Sequence, residues 1–89
     1  MITADVKIIN HLGLHARPAC RLAQTAGQFE CDIKIAKGPV EINAKSIMGV
    51  MMLAAEYGST LRLTFDGKDE QAACQTITGL FTNKFDEDF

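Results

Sequence analysis

The segment "CDIKIAKGPVEIN", residues 31–43, decides how the rest of the chain has to be arranged. Cys31, Ile33 and Ile35 alternate with Asp32 and Lys34, and Val40 and Ile42 alternate with Glu41 and Asn43. A period of two is what a half-buried strand requires, because successive side chains leave opposite faces of the pleat. "KGP" (37–39) between the two runs reads as a turn, so the segment predicts an antiparallel hairpin. One apolar face and one polar face call for a sheet covered by helices on a single side.

Working outward, Ile2, Ala4, Val6 and Ile8 alternate with Thr3, Asp5 and Lys7 and predict a strand before the hairpin; Leu61, Leu63 and Phe65, set against Arg62 and Thr64, predict one after it. Three stretches carry helical spacing instead. Ala19, Leu22, Ala23 and Ala26 follow the loop "LGLHARP", with Gly27 as the stop. Ser46 is a good N-cap for a helix through "IMGVMMLAAEY", ended by Gly58. After the turn at "DG" (66–67), Asp69 can cap a last helix in which Ala73, Ile77, Leu80, Phe81 and Lys84 keep the 3.6 period. The acidic ending "DEDF" is expected to fray. The predicted order is β-α-β-β-α-β-α, a two-layer α+β fold in one domain, residues 1–89.

Composition narrows the function classes. With 47% hydrophobic and 22% charged residues the chain has the makings of a globular core. A net charge of −2, and few aromatic residues that are not interleaved with Lys or Arg, argue against nucleic acid as a partner. No apolar run approaches the roughly 20 residues of a membrane span, and "MITADVKIIN" lacks the features of a signal peptide, so the expected location is the cytoplasm. Cys20, Cys31 and Cys74 are odd in number and contain no C-x-x-C pair; they read as small apolar side chains in a reducing compartment.

Chemistry concentrates in "NHLGLHARPAC", residues 10–20. Proline is tolerated in the first turn of a helix, so Pro18 places a helix start close to His15. Such a start carries unpaired N–H groups and a partial positive charge, which together bind anions. That positive end favours the neutral, nucleophilic imidazole, and with the Arg17 guanidinium it can stabilise a phosphoryl group once the ring carries one. Gly13 would let the loop backbone come close to the transferred group. The plain alternative is a loop histidine with an incidental cation beside it. A third reading takes His11, His15 and Cys20 as metal ligands, but Gly13 and Pro18 make residues 11–15 loop and remove the helical meaning of H-x-x-x-H. No metal and no cofactor is expected.

"LGLHARPA" and "NAKSIMGVMML", in this order of elements, resemble the HPr family, the histidine phosphocarriers of the bacterial phosphotransferase system. The resemblance runs over nearly the whole chain. It implies an open-faced β-sandwich of four antiparallel strands with three helices on one side. It implies that His15 accepts phosphate on Nδ1 from phosphoenolpyruvate-charged Enzyme I and passes it to an Enzyme IIA, assisted by Arg17. The protein would then be a carrier, not an independent catalyst, and is expected to be a monomer. "AKSIMGVM" is similar to the version acted on by HPr kinase/phosphorylase, which makes Ser46 a second, regulatory phosphate acceptor beside its capping role. Ile47, Met48 and Met51, with Arg17 and Lys45 at the rim, are implied as the docking surface for partners, whereas Val50 and Leu53 are core candidates and Met52 fits either place. Leu12 before Gly13, together with "FDED", resembles the nitrogen-related NPr branch. Sugar transport and nitrogen or carbon regulation are thus both open as outputs. A purely regulatory binding module controlled through Ser46 is the rival function.

Overall fold

The structure, a computed structural model, describes residues 1–87. Its strands are β1 (Ile2–Lys7), β2 (Asp32–Lys37), β3 (Val40–Asn43) and β4 (Thr60–Asp66). Its helices are α1 (Ala16–Ala26), α2 (Ile47–Met52) and α3 (Glu70–Thr82). The four strands form one antiparallel sheet in the order β1-β4-β2-β3. The hairpin is present in the expected place, with Lys37 opposite Val40 and only Gly38 and Pro39 between them. Gly38 has φ +58, the left-handed value that a two-residue hairpin turn beginning with glycine needs.

Register explains the layering. Ile33 stands opposite Phe65 and Ile35 opposite Leu63, and all four are buried against Leu22, Val50 and Ile77 from the three helices. On the other face Asp5 and Arg62 pair at 3.2 Å and Lys34 reaches Glu41 at 4.0 Å, both among exposed side chains. Each inner side chain of this size contributes roughly 1.5–3 kcal/mol when removed from water. The exposed pairs contribute at most about 1 kcal/mol each. The apolar face therefore fixes the fold.

Four expectations are corrected. Val40 is exposed, because β3 lies at the sheet edge and its first residue is not covered. α2 stops at Met52 instead of running to Tyr57: Ala54 takes φ +50, and its carbonyl accepts from Lys37 Nζ at 3.0 Å. Asp69 stands just before α3 but makes no cap bond; its carboxylate accepts instead from the N–H groups of Glu30 and Cys31 at 2.8 and 2.9 Å. Those donors hold the Asp69 carboxyl below its ordinary range, while burial, helped by the neighbouring Asp69, pushes the Cys31 thiol up to about 11. Gly67 packs so closely on this bend that a Cβ there would lie 2.7 Å from Cys31 Cα.

The fourth correction concerns the tail. Lys84 is outside α3, and Lys84, Phe85 and Asp86 form a short left-handed turn with φ of 55, 53 and 63°. Residues 86 and 87 are not frayed. Phe85 is buried edge-on against Phe81, and Asp86 meets Arg21 of α1 at 2.6 Å. The last two residues of "DEDF" lie outside the described residues.

Candidate functional site

The site begins with a loop that turns on Gly13. This residue has φ +66, and a Cβ on it would stand 2.5 Å from the Ala55 carbonyl oxygen. Next to it Leu14 N–H donates to that same carbonyl at 2.9 Å. Glycine is required here for close packing on the segment after α2, a different reason from contact with a transferred group. Asn10, almost fully buried, ties the loop's other end: its amide donates to the Gly13 carbonyl at 2.8 Å.

His15 follows as the residue before the first turn of α1, with extended backbone (φ −76, ψ −171). Its side chain does not cap the helix. Ala19 N–H closes the first turn on the His15 carbonyl at 3.0 Å. Pro18, the third helical residue, has no N–H to offer. That leaves the N–H groups of Ala16 and Arg17 at the helix mouth, and neither has an acceptor among the described residues. An anion placed there would meet free backbone donors and the positive end of the helix.

The imidazole is engaged from one side. Its Nε2 lies 2.8 Å from Glu87 Oε2, and the other oxygen of that carboxylate accepts from Asn10 Nδ2 at 2.8 Å. The Glu87 side chain is only 5% exposed, against 35% for His15. A carboxylate is acceptor-only, so in the neutral ring the tautomer that suits this contact has its hydrogen on Nε2 and the lone pair on Nδ1. No described residue bonds to Nδ1. Glu87 and Asn10 were not singled out from the sequence. Asn10 had a local signal, a turn-forming residue three positions before Gly13, whereas Glu87 is 72 residues from His15 and had none.

Arg17 is exposed and its guanidinium pairs with no carboxylate among the described residues. At the second site, Ser46 caps α2 as expected, its Oγ accepting from Gly49 N–H at 3.0 Å, and the residue is exposed. Ile47, Met48 and Met51 are exposed and Met52 joins them, while Val50 and Leu53 enter the core. Lys45 is less available than a rim residue should be: it is half-buried, and its Nζ donates to the Phe29 carbonyl at 2.7 Å. α2 packs on α1. His11 stands away from His15's bonds, edge-on to Tyr57 with ring centroids 5.4 Å apart.

Comparison with known proteins agrees with this geometry. A family model described as "PTS HPr component phosphorylation site" matches residues 2–83. The phosphocarrier protein HPr of Cupriavidus necator is 49% identical over 87 residues, covering 98% of each chain. Among solved structures, an HPr from Thermoanaerobacter tengcongensis superposes with a TM-score of 0.96 at 39% identity over the whole of both chains. A dimeric HPr structure from the same organism matches at 0.79 with 40% identity, covering 98% of this chain and all of that one. The chain belongs to the HPr family, the phosphocarriers of the phosphotransferase system.

Proposed function

We propose that the protein carries a phosphoryl group on His15, taking it from phosphoenolpyruvate-charged Enzyme I and giving it to an Enzyme IIA. The observation that carries this reading is the pairing of a half-exposed imidazole with the N–H groups of Ala16 and Arg17 at the start of α1, which have no acceptor among the described residues. The nucleophile and an anion-binding backbone occupy one spot, so the transferred group meets both together. Arg17, exposed on the first turn, neutralises charge on that group. The protein is then a substrate of its partners in the cytoplasm and has no turnover of its own.

Exposed Ile47, Met48 and Met51 form the docking face, because adaptable methionines suit several partners on one surface. Lys45 contributes through its position and not as a free cation. Ser46 is the regulatory site for HPr kinase/phosphorylase, supported by its exposure and by its place at a helix start, where added negative charge is tolerated. The output is sugar transport or nitrogen and carbon regulation. The monomer is the working form, with the dimer solved for a relative making mass in solution the measurement that decides.

Enzyme I with phosphoenolpyruvate should place one acid-labile phosphate on the wild type and none on His15→Ala. HPr kinase with ATP should place an acid-stable phosphate that Ser46→Ala abolishes. Label on Ser46 alone would instead favour the regulatory module that binds partners and passes no phosphate.

A further inference from the structure

We infer that Glu87 is a positioning residue for phosphoryl transfer: its carboxylate holds the proton on Nε2 of His15 and so presents Nδ1 as the attacking atom. The inference deepens the phosphocarrier reading and rests on it.

The geometry is specific. Glu87 meets Nε2 at 2.8 Å with one oxygen and Asn10 Nδ2 at 2.8 Å with the other, so its orientation is set from two sides. Asn10 is itself held by the Gly13 carbonyl. The carboxylate is nearly removed from solvent, which strengthens its hydrogen bond to the ring. A free imidazole distributes its proton between two nitrogens; this one has an acceptor at Nε2 and none among the described residues at Nδ1.

The backbone just before this contact is sharply bent. Lys84, Phe85 and Asp86 all sit at positive φ with no glycine among them, a conformation that side chains resist. The bend is retained because Phe85 is buried and Asp86 is paired with Arg21. Both anchors precede Glu87 directly and bring it to the mouth of α1. Three consecutive left-handed residues store strain, and the anchors that hold them also place Glu87 against His15.

The chemical step then balances without a proton moving. The Nδ1 lone pair forms the bond to phosphorus as the bond from phosphorus to the phosphorylated donor protein breaks, its electron pair leaving with the donor. Nε2 keeps its hydrogen, so the ring becomes a phosphoimidazolium whose positive charge faces the Glu87 carboxylate. In the onward step the acceptor's nucleophile bonds to phosphorus, and the electron pair of the N–P bond returns to Nδ1. Glu87 interacts more strongly with the charged ring than with the neutral one, so it lowers the barrier to loading.

The test uses the full chain with ¹⁵N-labelled histidine, as wild type, Glu87→Gln and Glu87→Ala. Ring ¹⁵N shifts should show Nε2–H and a bare Nδ1 in the wild type, the same tautomer in Glu87→Gln, whose amide oxygen still accepts, and a mixed pattern in Glu87→Ala. Loading from phosphorylated Enzyme I should slow about tenfold in both variants, since each loses the negative charge. Backbone amide spectra establish that the variants are folded. An unchanged ring spectrum in Glu87→Ala would overturn the inference, as would loading within twofold of wild type in both variants. A wild type that takes no label from Enzyme I would defeat the phosphocarrier reading instead, a result visible separately from the ring spectrum.

Discussion

His15 and Ser46 occupy the same place, the residue just before the first turn of a helix, α1 in one case and α2 in the other. They use their side chains in opposite ways. Ser46 Oγ accepts from Gly49 N–H, three residues on, and stabilises its own helix. His15 leaves its helix uncapped and is held by Glu87, 72 residues away. The two helix starts differ in where the polar group finds its partner, Gly49 three residues on in one case and Glu87 in the other. A side chain satisfied locally closes a helix start; one satisfied from a distance leaves the backbone donors open for a ligand.

The contrast can be broken experimentally. Phe85→Ala should have the largest effect, about 3 kcal/mol by denaturant unfolding, because a buried aromatic is lost and the turn it holds is released. It should also loosen Glu87 and mix the His15 tautomers, whereas the Ser46 cap should be untouched. Gly13→Ala comes next, at roughly 2–3 kcal/mol, since it adds a left-handed alanine and a backbone clash at Ala55. Its counterpart Gly49→Ala should stay within about 1 kcal/mol of neutral, the helical gain being offset by a 3.3 Å contact with Ser46 Oγ. That difference sharpens the comparison: one glycine is demanded by distant packing, the other is not.

Ser46→Ala should cost about 1 kcal/mol in the same assay and leave labelling of His15 by Enzyme I within twofold. A large fall in labelling would mean that the two helix starts are coupled. The smallest effect is a pH dependence. Asp69 has its pKa lowered on folding by the N–H groups of Glu30 and Cys31. Its contribution is present above the unfolded carboxylate pKa, near about 4, and is lost as pH falls through the folded value. Asp69→Asn should therefore flatten the acid limb of thermal unfolding between pH 5 and pH 2 in steps of about one unit, leaving the neutral range less sensitive.

What the sequence disclosed follows the same division. The β2–β3 hairpin was legible because alternation and a Gly-Pro turn are local properties, and the Ser46 cap because its partner lies three residues on. The position of His15 at a helix start was legible through Pro18. The end of α2 was not, because "LAAEY" suits a helix and the stop comes from Ala54 turning left-handed where Lys37 and Leu14 bond to the following segment. Asp69 was the right residue type at a helix start, yet its carboxylate is claimed by residues 39 and 38 positions away. The tail was misread for the same reason: charged residues near a chain end look solvated until their partners on α1 and the His15 loop are known.

The left-handed turn at Lys84–Asp86 also sets an order of events during synthesis. His15 leaves the ribosome before its carboxylate partner, which follows only after all four strands and three helices have been made. The sheet and helices can assemble first, with the tail docking onto them afterwards. A nascent chain cut short before residue 87 would own the nucleophile, the proline and the open helix mouth, but with an imidazole free to choose its tautomer. The contact between Glu87 and His15 would thus arrive later than the sheet and helices, as the Lys84–Asp86 turn closes.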